Sequence, residues 1–338
     1  MRRGSTATVT VAAVTATALP DAALVRALLA HQHPDLAGLE VEPLSAGWDN
    51  AVFRVGPRLT ARLPRRLEAV PLIAHEQRWL PELAPLLPLP VPLPVRVGMP
   101  GLEYPWPWSV CPWFPGEPAS ARPPVDAARA ARELGGFLAA LHRPAPAQAP
   151  ENPFRGVPLA RRDGRFRDAV DELARRPDRL DPSTRAWAAA RWDDLRRTPP
   201  WPNPPVWLHG DLHPHNVLVH DGRICSVIDF GDLTSGDPAT DLAVAWMLFD
   251  APHREMLREA AGGCDDATWT RSEAWAIALA VAYLEGSPDG SPMLPVARRT
   301  LIELGAPRPP GDVGCGLSVT PPWEDAPSRP NDPPPEAP

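Results

Sequence analysis

The sequence predicts an α+β chain in two parts: a small antiparallel sheet carrying one helix, then a larger, mainly helical part. Three observations lead there. Residues 39–63 hold short strand-like runs separated by turn formers, which is a meander and not a βαβ unit. Residues 126–142 form a long Ala/Leu run of helical period, and further helical runs follow residue 238. The chain has 338 residues, 44% hydrophobic and 22% charged, enough for two parts that each bury a core. The same composition excludes collagen-like and wholly disordered classes.

Taken in order, residues 1–20 read as a flexible extension. Arg2 and Arg3 precede an Ala/Thr/Val run that lacks the Leu, Ile and Phe of a secretory leader. The first part spans 21–114. Asp21 caps a helix with Leu24, Val25, Leu28 and Leu29 at helical spacing. Strands are predicted at 39–44, 51–55 and 59–63, broken by Ser45 to Asn50 and by Gly56-Pro57. A helix follows over 72–87 with Glu76 in its second turn, then extended segments rich in Pro and Trp at 91–97 and 106–113.

The second part spans 115–305. It opens with the 126–142 helix, where Gly135-Gly136 permits close packing, and continues through an Arg- and Asp-rich helical stretch over 163–197. Short apolar runs at 206–208, 217–219 and 224–228 read as strands, and helices are predicted at 239–249, 269–285 and 293–304. Residues 306–338 are Pro-rich, without periodicity, and are expected to be disordered.

All 34 basic residues are arginine; the chain contains no lysine. A net charge of −7 speaks against a general nucleic-acid binder. No run approaches the ~20 apolar residues of a membrane span. Cys111, Cys225, Cys264 and Cys315 form no C-x-x-C pair, so neither a disulfide framework nor a zinc ribbon is suggested, and a cytoplasmic location is expected.

The chemistry is concentrated in His209-Gly210-Asp211-Leu212-His213-Pro214-His215-Asn216, then Ile228-Asp229-Phe230-Gly231-Asp232, then Gly236-Asp237-Pro238-Ala239-Thr240-Asp241. Phosphoryl transfer needs a carboxylate to orient a hydroxyl, and an Asn plus a second carboxylate to hold Mg²⁺ against phosphates. Asp211 and Asn216 lie five residues apart on one loop, and Asp229 follows on the next short hairpin. Asp237 before Pro238 reads as a helix cap.

These motifs resemble the aminoglycoside phosphotransferase family, a branch of the bilobal protein-kinase-like fold that includes macrolide phosphotransferases and choline-kinase-like enzymes. The resemblance covers about residues 39–305. It implies Asp211 as catalytic base, Asn216 and Asp229 as Mg²⁺ ligands, His209 as a structural member of the catalytic loop, and Asp237 and Asp241 as supports. By the same resemblance Ser45, Gly47 and Asn50 wrap phosphates, Arg62 stands where kinases place a strand Lys, and Glu76 is its helix partner. Arg65 and Arg66 are rivals to Arg62 and fit better as solvated surface residues. Backbone groups around Val110 and Cys111, at the link between the two parts, are candidates for the base of ATP or GTP; the neighbouring Trp residues fit core packing equally well.

The implied function is a nucleotide-dependent kinase acting on a hydroxyl of a small, antibiotic-like substrate, an aminoglycoside, macrolide or nucleoside antibiotic, with resistance or self-protection as its use. Asp250, Glu255, Asp265, Asp266, Glu273 and Glu285 are candidates for holding a cationic aminosugar, and Trp246, Trp269 and Trp275 for an apolar pocket. Alternatives are a choline- or sugar-type metabolite kinase and a non-haem iron oxygenase using His209, Asp211 and a distal His253. The complete set Asp211, Asn216 and Asp229 argues against a dead regulatory kinase. The short spacing from Asp229 to Gly236 argues against a protein kinase. His142 has no evident partner in the sequence.

Overall fold

The computed structural model describes residues 19–307. The expected N-terminal extension up to residue 18, the tail from residue 308, and Cys315 lie outside the described residues. The described residues fall into two compact units. One comprises the chain up to Pro85 with Pro92–Phe114; the other comprises Leu86–Val91 and everything from Pro115.

In the first unit α1 (Ala22–Gln32) starts at Asp21, whose carboxylate accepts the Leu24 N–H at 2.8 Å. Strands β1 (Val41–Ala46), β2 (Asn50–Val55), β3 (Leu59–Pro64), β4 (Arg96–Gly98) and β5 (Trp108–Pro112) form one antiparallel sheet in the order β1-β2-β3-β5-β4. The period-2 pattern of β2 turns Ala51, Phe53 and Val55 inward, where they meet Val25, Leu28 and Leu29 of α1. The β1–β2 register shifts between Pro43 and Ser45, where proline offers no N–H to the ladder.

Helix α2 (Val70–Leu83) ends earlier than the sequence pattern suggested, tightening into a 3₁₀ turn over Ala84–Leu86 that contains Pro85. The 91–97 segment yields only the three residues of β4, because Pro92 and Pro94 cannot donate to a ladder. Gly98 is obligatory: a Cβ there would lie 1.9 Å from the buried Trp108 ring.

The second unit contains β6 (Glu117–Pro118), α3 (Ala127–Leu141), α4 (Asp163–Leu173), α5 (Pro182–Leu195), β7 (Val206–Leu208), β8 (Val217–His220), β9 (Arg223–Val227), β10 (Thr234–Gly236), α6 (Ala239–Leu242), α7 (Val244–Leu248), α8 (Ala251–Ala261), α9 (Asp266–Gly286) and α10 (Met293–Glu303). Strand β7 pairs with β10, and β6, β8 and β9 form a second small sheet. The helices pack around α9, whose Ala274, Ile277 and Val281 meet Phe166, Trp192 and Leu294.

Three helical expectations are corrected. The 163–197 stretch is two helices, because Asp181 caps a new start at Pro182. The 239–249 stretch breaks at Ala243 into α6 and α7. Helix α8, capped by Asp250, was not anticipated. Of the two helix glycines only Gly135 allows a close approach: a Cβ there would sit 2.6 Å from the Leu257 carbonyl of α8, whereas Gly136 has open space. No described helix is long and apolar enough to cross a membrane.

Candidate active site

The hairpin β8–β9 sets the arrangement. Val217 pairs with Val227, and the Ile228 N–H donates to the Asn216 carbonyl at 2.9 Å, so the chain enters and leaves this ladder with Asn216 and Asp229 at the same end. Asp229 lies in the left-handed region (φ 64°), a conformation unusual for a side-chain-bearing residue, immediately before Phe230. The Asn216 amide donates to the Asp211 carbonyl at 2.9 Å, which closes the five-residue loop between them.

His209 is fully buried and both ring nitrogens are engaged. Nε2 donates to the Ile228 carbonyl at 2.9 Å and Nδ1 accepts the Asp211 N–H at 3.2 Å. The ring therefore ties the loop to the segment preceding Asp229. With no nitrogen left for a metal, the iron-oxygenase reading loses its first ligand; its other histidine, His253, bonds Asp250 in α8.

Asp241, buried in α6, accepts the His209 N–H at 2.8 Å on one carboxylate oxygen and the Gly210 N–H at 2.9 Å on the other. His142, the residue following α3, reaches the same carboxylate at 3.3 Å. Sequence alone gave that histidine no partner. Gly210 is required on two grounds: φ is +86°, and a Cβ would fall 2.2 Å from the Asp232 carbonyl. Asp237 accepts the Ala239 N–H at 3.0 Å, as a cap would. It also forms a buried ion pair with Arg271 of α9 at 2.6 Å, a partner the sequence did not announce.

Asp211 itself is held by residues that sequence reasoning missed. The Arg155 guanidinium donates to its Oδ1 at 2.8 Å, and His213 lies 3.4 Å from Oδ2. Burial works to raise the Asp211 carboxyl, but His213 and Arg155 outweigh it and hold the group well below the usual carboxylate range. Arg155 sits on a loop pinned at several points. Asn152 donates to Asp232 at 2.7 Å, Thr234 donates to the Pro150 carbonyl at 2.8 Å, and the Gly156 N–H donates to Thr240 at 3.0 Å. Gly156 and Gly236 touch so closely that a Cβ on Gly236 would meet the Gly156 carbonyl at 2.2 Å. With a separation of 56 residues between Arg155 and Asp211, no local signal marks the pair.

The donor set suits Mg²⁺. With the Asn216 amide nitrogen committed to a backbone carbonyl, its oxygen is available as a hard ligand beside Asp229. Among the described residues no group of three or more His, Cys, Asp or Glu forms a metal cage. Two protein oxygen donors of this kind would suit an ion that keeps water oxygens in its shell.

In the first unit, Arg62 of β3 grips both oxygens of Glu76 on α2, at 2.9 and 2.8 Å, with both side chains buried. Arg65 and Arg66 instead turn to the β1–β2 connection: Arg65 donates to the Gly47 carbonyl at 2.5 Å and Arg66 pairs with Asp49. Gly47 closes that turn by donating to the Asn50 carbonyl at 3.0 Å, and the Asn50 side-chain oxygen is buried without a partner. Ser45 lies in β1 beyond its bulge, opposite Val52. Val110 is a sheet residue whose carbonyl already accepts the Val95 N–H at 2.8 Å. The β4 ladder stops there, leaving Cys111 with a ladder partner only in β3. Burial pushes the Cys111 thiol up to about 12.

The acidic residues considered for an aminosugar are largely engaged elsewhere. Asp250 and Asp265 cap α8 and α9, Asp266 pairs with Arg258, Glu273 with Arg191 at 2.6 Å, and Glu285 with Arg165 at 2.6 Å. Trp269 and Trp246 pack on each other, and Trp275 is fully buried in the core around α9.

Comparison with known proteins follows the same lines. A family model described as "Phosphotransferase enzyme family" matches residues 40–275. An aminoglycoside 3'-phosphotransferase of Escherichia coli is 34% identical over 70 residues, covering 20% of this chain and 26% of that protein. An uncharacterized Bacillus subtilis protein, YcbJ, is 25% identical over 158 residues, 45% of this chain and 49% of its own length. The chain thus spans about half or less of these curated relatives. Among solved structures, the GDP complex of an aminoglycoside 2'-phosphotransferase-IIIa superposes with a TM-score of 0.63 at 19% identity, covering 84% of this chain and 98% of that one. The macrolide 2'-phosphotransferase MphH from Brachybacterium faecium gives 0.55 at 23% identity, covering 86% and 99%. These likenesses establish the kinase-like α+β fold, and the match over residues 40–275 makes this chain a member of the phosphotransferase enzyme family.

Proposed function

We propose that this protein transfers the γ-phosphoryl group of ATP or GTP to a hydroxyl of a small, antibiotic-like molecule, with Asp211 as the group that orients the hydroxyl. The observation that carries the reading is the state of Asp211. It is a carboxylate kept ionised by Arg155 and His213, on a loop braced from below by Asp241 and His209. GDP and aminoglycoside complexes of structural neighbours support nucleotide use and a small-molecule acceptor, without specifying either for this chain.

Arg155 engages Oδ1 of Asp211 and His213 lies 3.4 Å from Oδ2, so the acceptor hydroxyl would be taken by a remaining lone pair of this carboxylate. A carboxylate this acidic is a weak proton acceptor for a neutral alcohol. Its first task is therefore orientation, and it takes the proton as the new O–P bond forms and the bond from phosphorus to the departing nucleoside diphosphate breaks. Asn216 and Asp229 would hold Mg²⁺, which when bound offsets charge on the phosphate oxygens. Arg62, fixed by Glu76, offers a guanidinium suited to a two-point grip on phosphate.

The test is Asp211→Asn and Asp211→Ala, assayed by nucleotide consumption across aminoglycosides, macrolides, nucleoside antibiotics and choline-like metabolites. Turnover should fall by about 10²–10⁴-fold, the usual contribution of a positioned acid–base group, while nucleotide affinity stays within about threefold. Turnover near wild type in Asp211→Ala would overturn the assignment.

A further inference from the structure

The second unit contains buried hydrogen-bond donors that nothing in the protein satisfies. Nε of Arg155, Nε of Arg162, Nε1 of Trp275 and Oη of Tyr283 are each buried without a hydrogen-bond partner. Buried donors are almost always paired, so four together point to something that binds there. They fall in two adjoining groups, Arg162 with Trp275 and Arg155 with Tyr283, with Arg155 close enough to repel Arg162. Trp275 and Tyr283 are eight residues apart on α9, about 12 Å along its axis. The Arg162 guanidinium lies 5.7 Å from the Trp275 ring centre and 5.8 Å from that of Phe154. Tyr283 meets His213 edge-on with ring centres 5.8 Å apart, and His213 adjoins Asp211.

The charges in this neighbourhood do not cancel at Arg162. Arg155 has Asp211, Arg165 has Glu285 at 2.6 Å, and Asn152 bonds Asp232. Among the described residues no carboxylate pairs with Arg162. Burial, then repulsion from Arg155 and Arg165, lowers its pKa to about 10. The two rings lie within cation–π range of the guanidinium but give its buried Nε no hydrogen-bond partner. A planar fork of donors without a counterion matches a carboxylate.

We propose that Arg162, with the free donors of Arg155 and Tyr283 nearby, binds a carboxylate of the acceptor, and that this protein phosphorylates hydroxyl compounds bearing an anionic group in preference to polycationic aminosugars. The inference rests on the kinase reading for the identity of the bound molecule as acceptor. Of the six acidic side chains considered for an aminosugar, all but Glu255 are engaged in caps or ion pairs.

Full-length protein with Mg²⁺ and a non-hydrolysable ATP analogue is titrated calorimetrically with glycerate, gluconate and glucuronate, with their neutral and cationic counterparts glycerol, glucose and glucosamine, and with kanamycin and erythromycin. Nucleotide consumption is measured on the same panel. The expected result is binding of at least one carboxylate compound, weakened at least tenfold by Arg162→Ala and by 0.5 M NaCl, and partly restored by Arg162→Lys. For turnover, Arg162→Ala should raise KM for that acceptor at least tenfold with kcat changed less than threefold, and leave neutral acceptors unaffected. Circular dichroism and melting of both variants identify a folding defect; if Arg162→Ala does not fold, Arg162→Lys and the salt dependence decide. The proposal is overturned if no carboxylate compound binds, if kanamycin or a neutral compound is the best ligand, or if Arg162→Ala weakens all ligands alike. Carboxylate binding through Arg162 without nucleotide consumption on any acceptor would instead refute the kinase reading and leave the anion site standing.

Discussion

The carboxylate of Asp241 is the most exposed point of failure in the proposed catalytic loop, although it touches no substrate. It is fully buried and accepts two backbone N–H groups, from His209 at 2.8 Å and Gly210 at 2.9 Å. Hydrogen bonds to a charged acceptor are each worth about 1.5–3 kcal/mol, so Asp241→Ala, which strands both donors, should cost about 3–6 kcal/mol. Asp241→Asn keeps one acceptor oxygen but sets an NH₂ group against the second N–H; it should cost about half as much, 1.5–3 kcal/mol. At about 2–4 °C per kcal/mol for a unit of this size, the asparagine variant melts roughly 3–12 °C lower. Urea unfolding followed by tryptophan fluorescence measures the stability, and kcat on the best acceptor should fall at least tenfold because Asp211 is the next residue along. An Asp241→Asn protein within about 0.5 kcal/mol of wild type, with kcat within twofold, would refute the claim that this carboxylate holds the loop.

Other outcomes are expected. Removing one member of the buried Arg62–Glu76 pair leaves an uncompensated charge; Arg62→Met or Glu76→Leu alone should cost about 3–5 kcal/mol, and the double variant distinctly less than their sum, read as a double-mutant cycle in urea. The buried Asp237–Arg271 pair should behave in the same way, and because it lies beside α6, Arg271→Met should also lower kcat. The Asp181 cap of α5 gives a pH signature. Partial burial opposes ionisation, but hydrogen bonds from Ser183 and Thr184 prevail and bring its pKa down to about 2 from 3.8. Its stabilisation is therefore present above pH 3.8 and lost as pH falls through about 2. Asp181→Ala should cost about 1 kcal/mol at pH 7, a difference that shrinks in acid denaturation near pH 2.

The sequence made the chemistry of the loop legible because His209, Asp211, Asn216 and Asp229 lie within 21 residues and the strands between them are short apolar runs. Local rules also found the capped start of α1 at Asp21 and the helical run that becomes α3. Prolines acted unevenly: Pro81 sits inside α2 without ending it, as the helical pattern over 72–87 expected, whereas Pro92 and Pro94 erased most of the 91–97 strand. What stayed hidden was long-range. Arg155 reaches Asp211, His142 reaches Asp241 across 99 residues, and Arg271 reaches Asp237, each a charge or ring whose partner is chosen by packing and not by spacing. The unsatisfied donors of Arg155, Arg162, Trp275 and Tyr283 are invisible to any sequence pattern, since being unpartnered is a property of the folded environment alone.

The arginine at position 62 has a practical consequence for anyone looking for this protein. Nucleotide-derived affinity reagents commonly tag phosphate-binding sites by acylating or sulfonylating a primary amine. In a chain without lysine no side chain supplies that amine, and a guanidinium is far less nucleophilic in its place. On the proposed reading, surveys that enrich kinases through such reagents would pass over this protein. Reversible capture on immobilised nucleotide, with elution by free ATP or GTP, is the approach that should retain it.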